Sequence, residues 1–396
     1  MSSLAIHLDL LQTTGIAAIV VFLGLAIKKR VKFFRTYCIP APVISGLLVS
    51  FLLMFLKLGG IVDIEWTLTL KEFFMDIFFT CVGFGASSKL LKSGGKICAG
   101  ITFTVVALIT LQDIVGVGLA IPLGLHPLHG LGIGSVAMSG GVGTAGAFGP
   151  IFEKYGAEGA TVISVAAATF GMILGSLVGG PVAKALIKRH NLTPDPKEVA
   201  VTNDNKIVPL NTPSMLRSAC TIIIIAAAGT GISALMKLIP MIKMPYFVGC
   251  LFAGVIARNI MEPMKIPFNT DEFDTISSVS LDLFLALTLM SLDLTKLVDA
   301  AGPMLIILAA EALLMGLWAY FVTYRVCGKN YNGAVMAAGH CGMGLGAGPN
   351  AVANEQSVIA EYGPANLAWI LFPALSVVVD DIWNPILISV VSNFLK

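Results

Sequence analysis

The sequence predicts an all-α polytopic membrane protein made of two inverted-topology repeats of five transmembrane helices, each with a re-entrant glycine-rich loop. Three observations carry that expectation. Of 396 residues, 56% are apolar and 12% charged, against roughly 45–50% and 25% in an average soluble domain. Apolar runs approaching the length of a bilayer span, about 20 residues, recur along the whole chain. Two stretches dense in glycine lie at matching places in its two halves. This composition excludes an ordinary soluble enzyme, a disordered chain and a nucleic-acid binder, and it makes lipid the main solvent.

The runs near residues 10–27, 42–58, 72–88, 97–122 and 161–187 form the first five spans. The first of them ends on Lys28-Lys29-Arg30, the reverse of the order in a secretory signal, so it is read as a retained span. Residues 188–214 carry Lys188, Arg189, Asp195, Lys197, Glu198, Asp204 and Lys206 among prolines, the composition of a solvated linker. Runs near 216–239, 246–262, 276–294, 302–324 and 365–391 form the second five. The expected division is therefore a first repeat over 1–187, a cytoplasmic linker over 188–214 and a second repeat over 215–396.

Two further stretches, about 128–150 and 332–352, are too glycine-rich and too short for comfortable spans. If both termini lie outside and these stretches dip in and return to the side they left, most of the 25 Lys and Arg fall in cytoplasmic loops. Full crossings would move the basic linker outside, so re-entrant loops are favoured. The seven cysteines are scattered and never spaced as CxxC, which suits small core residues rather than a disulfide framework or metal knuckle.

The halves overlay at an offset a little above 200 residues. His129-Gly130 falls on Asn332-Gly333, Gly141-Val142-Gly143 on Gly344-Leu345-Gly346, Tyr155-Gly156 on Tyr362-Gly363, Phe78 on Phe284 and Leu91 on Leu297. Five spans is an odd number, so the second copy starts on the opposite side of the membrane and the repeat is inverted. Inverted repeats with interrupted segments in matching positions are the pattern of secondary transporters, whose site lies at the repeat interface.

Five glycines fall within Ser139–Gly149 and five within Gly339–Gly348. Such runs break helices, and uncoiled backbone at membrane depth is tolerated only where it is buried in protein or lines a wet cavity. There, free carbonyls suit a dehydrated cation and half-helix N-termini suit a carboxylate. The same glycines also suit close helix packing; recurrence at matched positions favours the loop reading. Neither stretch ends in the Gly-Lys-Ser/Thr of a phosphate loop.

Ionisable residues at membrane depth are costly and hence functional candidates. The apolar runs contain Asp76, Asp113, Asp282, Glu311, Asp380 and Asp381, with no comparably deep Lys or Arg. Asp76, Asp282 and Asp293 sit near span ends, where snorkelling explains them. Asp381 and Asn384 lie about one turn apart on the last span, and Gln112-Asp113 and Glu311 occupy corresponding spans of the two halves. His126 and His129 flank Pro127 in a surface turn, a poor metal site. His340 is either a hydrogen-bonding element of the second loop or a substrate contact.

The stretches Ser-Gly-Gly-Val-Gly-Thr at 139–144 and Gly-His-Cys-Gly-Met-Gly-Leu-Gly-Ala at 339–347 resemble those of the glutamate:sodium symporter family. So do Ala168-Thr169-Phe170-Gly171, Gly179-Gly180-Pro181-Val182-Ala183, Gly328-Lys329-Asn330-Tyr331 and Asp381-Ile382-Trp383-Asn384. Val142 stands where the family pattern has histidine, and Asp113 and Glu311 stand where it has amides. The resemblance implies Na⁺-coupled uptake of L-glutamate or a related acidic amino acid by an elevator-type dimer in a bacterial inner membrane, with no organic cofactor. It places substrate contacts on Ser139, Gly140, Gly141, Gly143, Thr144, His340, Gly342, Gly344 and Asn384. Na⁺ contacts are expected from Asp381, Gly346, Ala347, Gln112 and Glu311, and from Thr80 and Gly83 on a broken span. The last span, around Asp381 and Asn384, is expected to be broken too.

A rival reading, a monovalent cation/proton antiporter, uses the adjacent carboxylates of Asp380 and Asp381 to exchange a proton for a cation. An intramembrane protease would need a Tyr-Asp with Gly-x-Gly-Asp, a Ser/His dyad or His-Glu-x-x-His, and the chain offers none of these.

Overall fold

The computed structural model describes residues 4–36, 39–87, 95–194, 211–236, 246–292, 294 and 300–395. In order, the chain forms β1 (Leu4–Leu8), α1 (Leu10–Arg30), α2 (Lys32–Thr36), α3 (Ala41–Leu58), β2 (Val62–Trp66) and α4 (Thr69–Gly85). It continues with α5 (Gly95–Ala120), α6 (Pro127–Ile133), α7 (Ser135–Met138), α8 (Gly141–Lys154) and α9 (Ala160–His190). The second half holds α10 (Thr212–Met236), α11 (Tyr246–Met261), α12 (Thr270–Met290), α13 (Ala301–Trp318), α14 (Tyr331–Leu345), α15 (Gly348–Tyr362) and α16 (Asn366–Phe394). A π-helical stretch, Ala319–Thr323, and a last turn, Tyr324–Val326, prolong α13.

Each of the ten apolar runs holds a helix over most of its described residues. Among the described residues eight helices (α1, α3, α5, α9, α10, α12, prolonged α13 and α16) are long and apolar enough to cross a membrane. The other two runs are α11, with 16 residues, and α4, with 17 residues that include Lys71, Glu72 and Asp76. Leu91 and Leu297, Asp293, and the linker residues 195–210 lie outside the described residues.

Local signals mark the helix ends. Asp9 and Gln12 exchange backbone-to-side-chain bonds of 2.8 and 3.0 Å in a capping box at the start of α1. Lys28, Lys29 and Arg30 close the same helix, where cations complement its dipole. One feature departs from an all-α reading: β1 pairs in parallel with β2, from Leu4 on Val62 to Leu8 on Trp66. The alternation of Val62-Asp63-Ile64-Glu65-Trp66 is the strand signal.

The helices pack as two sub-bundles. The first joins α1, α3, α4, α10, α11 and α12. Ser45 on α3 donates to Val20 O of α1 at 2.6 Å, and Ser233 on α10 donates to Tyr246 O of α11 at 2.6 Å. Where α4 crosses α11, Gly83 lies on the main chain of Leu251 and Gly254 on that of Thr80, so that neither glycine has room for a Cβ. Where α3 crosses α12, Gly46 lies on Leu289, and Ser50 donates to Leu289 O. The second sub-bundle joins α5–α9 with α13–α16. The two bundles meet along a narrow seam, at which Gly143 of α8 faces Phe78 and Leu281, Gly146 faces Phe284 and Thr288, and Phe148 sets its edge on Phe247 at 5.2 Å.

Candidate functional site

Each glycine-rich stretch folds as two helical arms joined by a short uncoiled tip. In the first, α6 and α7 lead to a turn at Ser139-Gly140, from which α8 departs. In the second, α14 ends at Leu345, and Gly346-Ala347 leads into α15. The expectation of long uncoiled loops is thus corrected. The residues Gly141–Gly149 and Gly339–Leu345 are helical, and the irregular backbone shrinks to the tips. A helix satisfies its own N–H and C=O groups, so at depth only the turns are left irregular. The helical glycines serve close approach instead: Gly149 on Thr161, Gly342 on Asn350, and Gly344 on Leu108 and Met315.

The two tips meet. Gly141 adopts φ +65°, a conformation that penalises a side chain, and a Cβ placed on it would stand 2.8 Å from Gly346 O and 3.6 Å from Ala347 Cβ. Gln112, fully buried on α5, bridges the tips: its Nε2 donates to Gly344 O at 2.6 Å, and its Oε1 accepts from Ser139 Oγ at 2.6 Å. Thr144 folds back over Gly140. From α16, Asn384 donates to Ser135 O at 3.0 Å and so reaches the first hairpin. Ser139, Gly140, Gly141, Gly344, Gly346, Ala347 and Gln112 are therefore gathered at one junction.

Other expected residues lie elsewhere. Thr80 and Gly83 turn to α11, and the Thr80 hydroxyl is spent on Asp76 O at 2.7 Å within α4. Gly143 faces the seam, away from the tip. His340 is buried, its Nδ1 within 2.8 Å of Thr323 Oγ1 and its ring 5.5 Å from that of Phe372. Of its two open roles, that geometry supplies the hydrogen-bonding one. His126 caps α6 through Leu128 N at 3.2 Å, and His129 Nε2 lies 2.9 Å from Glu158 O, so both have structural partners.

Neither α4 nor α16 is broken within its length, contrary to the implied broken spans. Yet α16 carries Pro385, which has no N–H to give, so the Asp381 main-chain carbonyl loses its helical donor without the helix parting. Asp380 and Asn384 are both buried and share a face, whereas Asp381 is half-buried. Glu311 is fully buried on α13. Among the described residues no three His, Cys, Asp or Glu gather as metal ligands, so a cation at the tips would rely largely on main-chain oxygens.

Sequence reasoning missed Asn350, Asn354 and Ser135. Asn350 donates to Met172 O at 2.8 Å, and Asn354 donates to Gly175 O and Ala338 O, each at 3.0 Å, tying the second hairpin to α9. Their spacing on one face of α15 was the available signal.

Comparison with known proteins places the chain in a family. The sodium/glutamate symporter family model matches residues 6–364. The sodium/glutamate symporter of Escherichia coli (strain K12) is 39% identical over 391 residues, 97% of either chain. That of Haemophilus influenzae is 35% identical over 389 residues, 96% of either chain. These relatives are named as transporters, not as enzymes. With the match extending over nearly every helix and both tips, the chain belongs to the sodium/glutamate symporter family.

Proposed function

We propose that the chain is a Na⁺-coupled symporter of glutamate that works by alternating access, one sub-bundle moving as an elevator against the other. The observation that carries this reading is the meeting of the two tips, Gly141 against Gly346 and Ala347, with Gln112 across them. Two half-helix N-termini, those of α8 and α15, begin at this junction, and two C-termini, those of α7 and α14, end there. The former offer N–H groups and positive dipole ends to the two carboxylates of glutamate, and the latter offer carbonyls to Na⁺. Ser139 and Thr144 add hydroxyls. Gly346 and Ala347 supply carbonyls, and Asp381 supplies its carboxylate and its unclaimed main-chain oxygen. Na⁺ thereby brings the positive charge that the interior lacks, so an acid can cross without a buried arginine.

The crossings of α3 with α12 and of α11 with α4 support an inverted repeat whose copies span 1–187 and 215–396. The narrow seam supports relative movement. The remaining parts of the reading are a homodimer in the bacterial inner membrane, termini outside, the linker 188–214 in the cytoplasm, and the glycine hairpins re-entrant.

The test is uptake of labelled L-glutamate by proteoliposomes. An inward Na⁺ gradient should drive accumulation, and replacing Na⁺ with choline should abolish it. Uptake indifferent to choline, or Na⁺-driven proton movement without any organic solute, would overturn the reading.

A further inference from the structure

The tips leave a second feature of the molecule unused, a cavity of about 510 Å³ enclosed between the two sub-bundles. Leu68 and Lys71 at the start of α4 and Ser291 and Leu292 just past α12 belong to its first wall. Pro150 and Glu153 on α8, Glu158 in the turn after it and Val162 on α9 belong to the second. Gly141 begins α8 at the junction of the tips, and Glu153 stands at the other end of that helix, about 18 Å away along its axis. The cavity is therefore separate from the place assigned to glutamate and Na⁺.

The two walls carry opposite charge. Lys71 brings an ammonium to the first, Glu153 and Glu158 bring carboxylates to the second, and Lys71 and Glu153 act on each other electrostatically. Glu153 is held at its wall because its Oε1 accepts from Thr161 N at 3.1 Å. The hydroxyls of Thr288 and Ser291 are already given to carbonyls of α12, so the charged groups dominate recognition. Beside them stand aliphatic side chains, Leu68 and Leu292 on one wall and Pro150 and Val162 on the other. Charges of both signs among aliphatic groups suit a small amphoteric molecule, and the volume falls in the range of small-ligand sites. A free α-amino acid fits this description. Its carboxylate finds Lys71 and its ammonium finds Glu153, each through charge-assisted hydrogen bonds. Its side chain then meets the aliphatic groups, which favour an uncharged chain over the second carboxylate of glutamate.

We propose that this cavity binds a neutral α-amino acid, and that the bound zwitterion clamps the two sub-bundles together and slows transport. Because the ligand touches both walls, it stabilises the present arrangement over any in which one wall has shifted against the other. The slowing of transport rests on the symport reading, whereas the binding does not. With the site apart from the tips, the ligand lowers the maximal rate of glutamate uptake and leaves the half-saturating glutamate concentration nearly unchanged.

The experiment uses the full-length protein with L-leucine as the probe. The melting temperature of detergent-solubilised protein is followed against leucine without Na⁺ or glutamate, and glutamate uptake by proteoliposomes is measured with and without leucine. Leucine should raise the melting temperature of the wild type in a saturable way and cut its maximal uptake rate several-fold. The near-isosteric variants Lys71→Met and Glu153→Gln should each need about 10-fold more leucine for both effects, the size of one lost hydrogen bond to a charged group. Leucinamide, which lacks the carboxylate, and isocaproate, which lacks the ammonium, should be as weak on the wild type. The proposal is overturned if leucine leaves the wild-type melting temperature unmoved, or if both variants respond at the wild-type concentration. Inhibition that excess glutamate relieves also overturns it, because leucine would then sit at the tips. Should one variant fail to fold, the other decides by the same measure. A wild type that shows the leucine shift but accumulates no glutamate supports the site and counts against the symport reading alone.

Discussion

At the scale of single residues, Gln112 is the side chain on which both tips depend. Both ends of its amide are engaged, Oε1 by Ser139 and Nε2 by Gly344 O. Gln112→Leu keeps the volume and strands both partners, each loss costing about 1–3 kcal/mol. Glutamate uptake should fall about 10- to 100-fold at unchanged protein level, which is the size of one or two such losses; wild-type kinetics in this variant would remove Gln112 from the site. The sequence singled out Gln112 through its place in a span, but its two partners are 27 and 232 residues away along the chain. Contacts of that separation leave no local pattern. Ser135 was invisible for the same reason, its value coming from a backbone N–H and C=O that meet Asp113 and Asn384.

At the scale of elements, the sequence was most legible where hydrophobic length decides: each of the ten apolar runs holds a helix, and among the described residues eight of these are long and apolar enough to span. It was least legible at the hairpins, because glycine density signals both an uncoiled turn and a tight crossing. The structure uses glycine in both ways: Gly141 for a positive φ at a tip, and Gly83 with Gly254 for main-chain contact between α4 and α11. These uses can be separated by substitution. Gly141→Ala forces a side chain into left-handed backbone, at roughly 1–2 kcal/mol, and against Gly346 O. The half-saturating glutamate concentration should rise at least several-fold while expression holds. Gly118→Ala, with open space around it, should match wild type. Equal glutamate affinities in the two variants would show that the tip is not where substrate binds. The unbroken α16 was equally hard to foresee, since a proline can free a carbonyl without parting a helix.

For the whole molecule, the prediction concerns relative movement. Gly146 on α8 and Thr288 on α12 face each other across the seam, with a Cβ on Gly146 placed 3.5 Å from Thr288 Cγ2. In a background freed of the native cysteines, an oxidised Gly146→Cys/Thr288→Cys pair should stop uptake, and reductant should restore it. Full transport by the cross-linked protein would mean that the sub-bundles do not slide. The material of the seam bears on how fast they can. Phe78, Phe148, Phe247, Leu281 and Phe284 line it, and Thr288 turns its hydroxyl inward to Phe284 O at 2.8 Å. Along this stretch rings and methyls are interchangeable neighbours, so displacement would trade one dispersion partner for another; beside it the two sub-bundles enclose a polar cavity of about 510 Å³ lined by Lys71, Glu153, Thr161 and Ser291. If the sub-bundles slide, the ring-lined stretch would serve as a dry bearing beside a polar pocket: its friction would be governed by shape, and a further hydroxyl or amide introduced there would work as a brake.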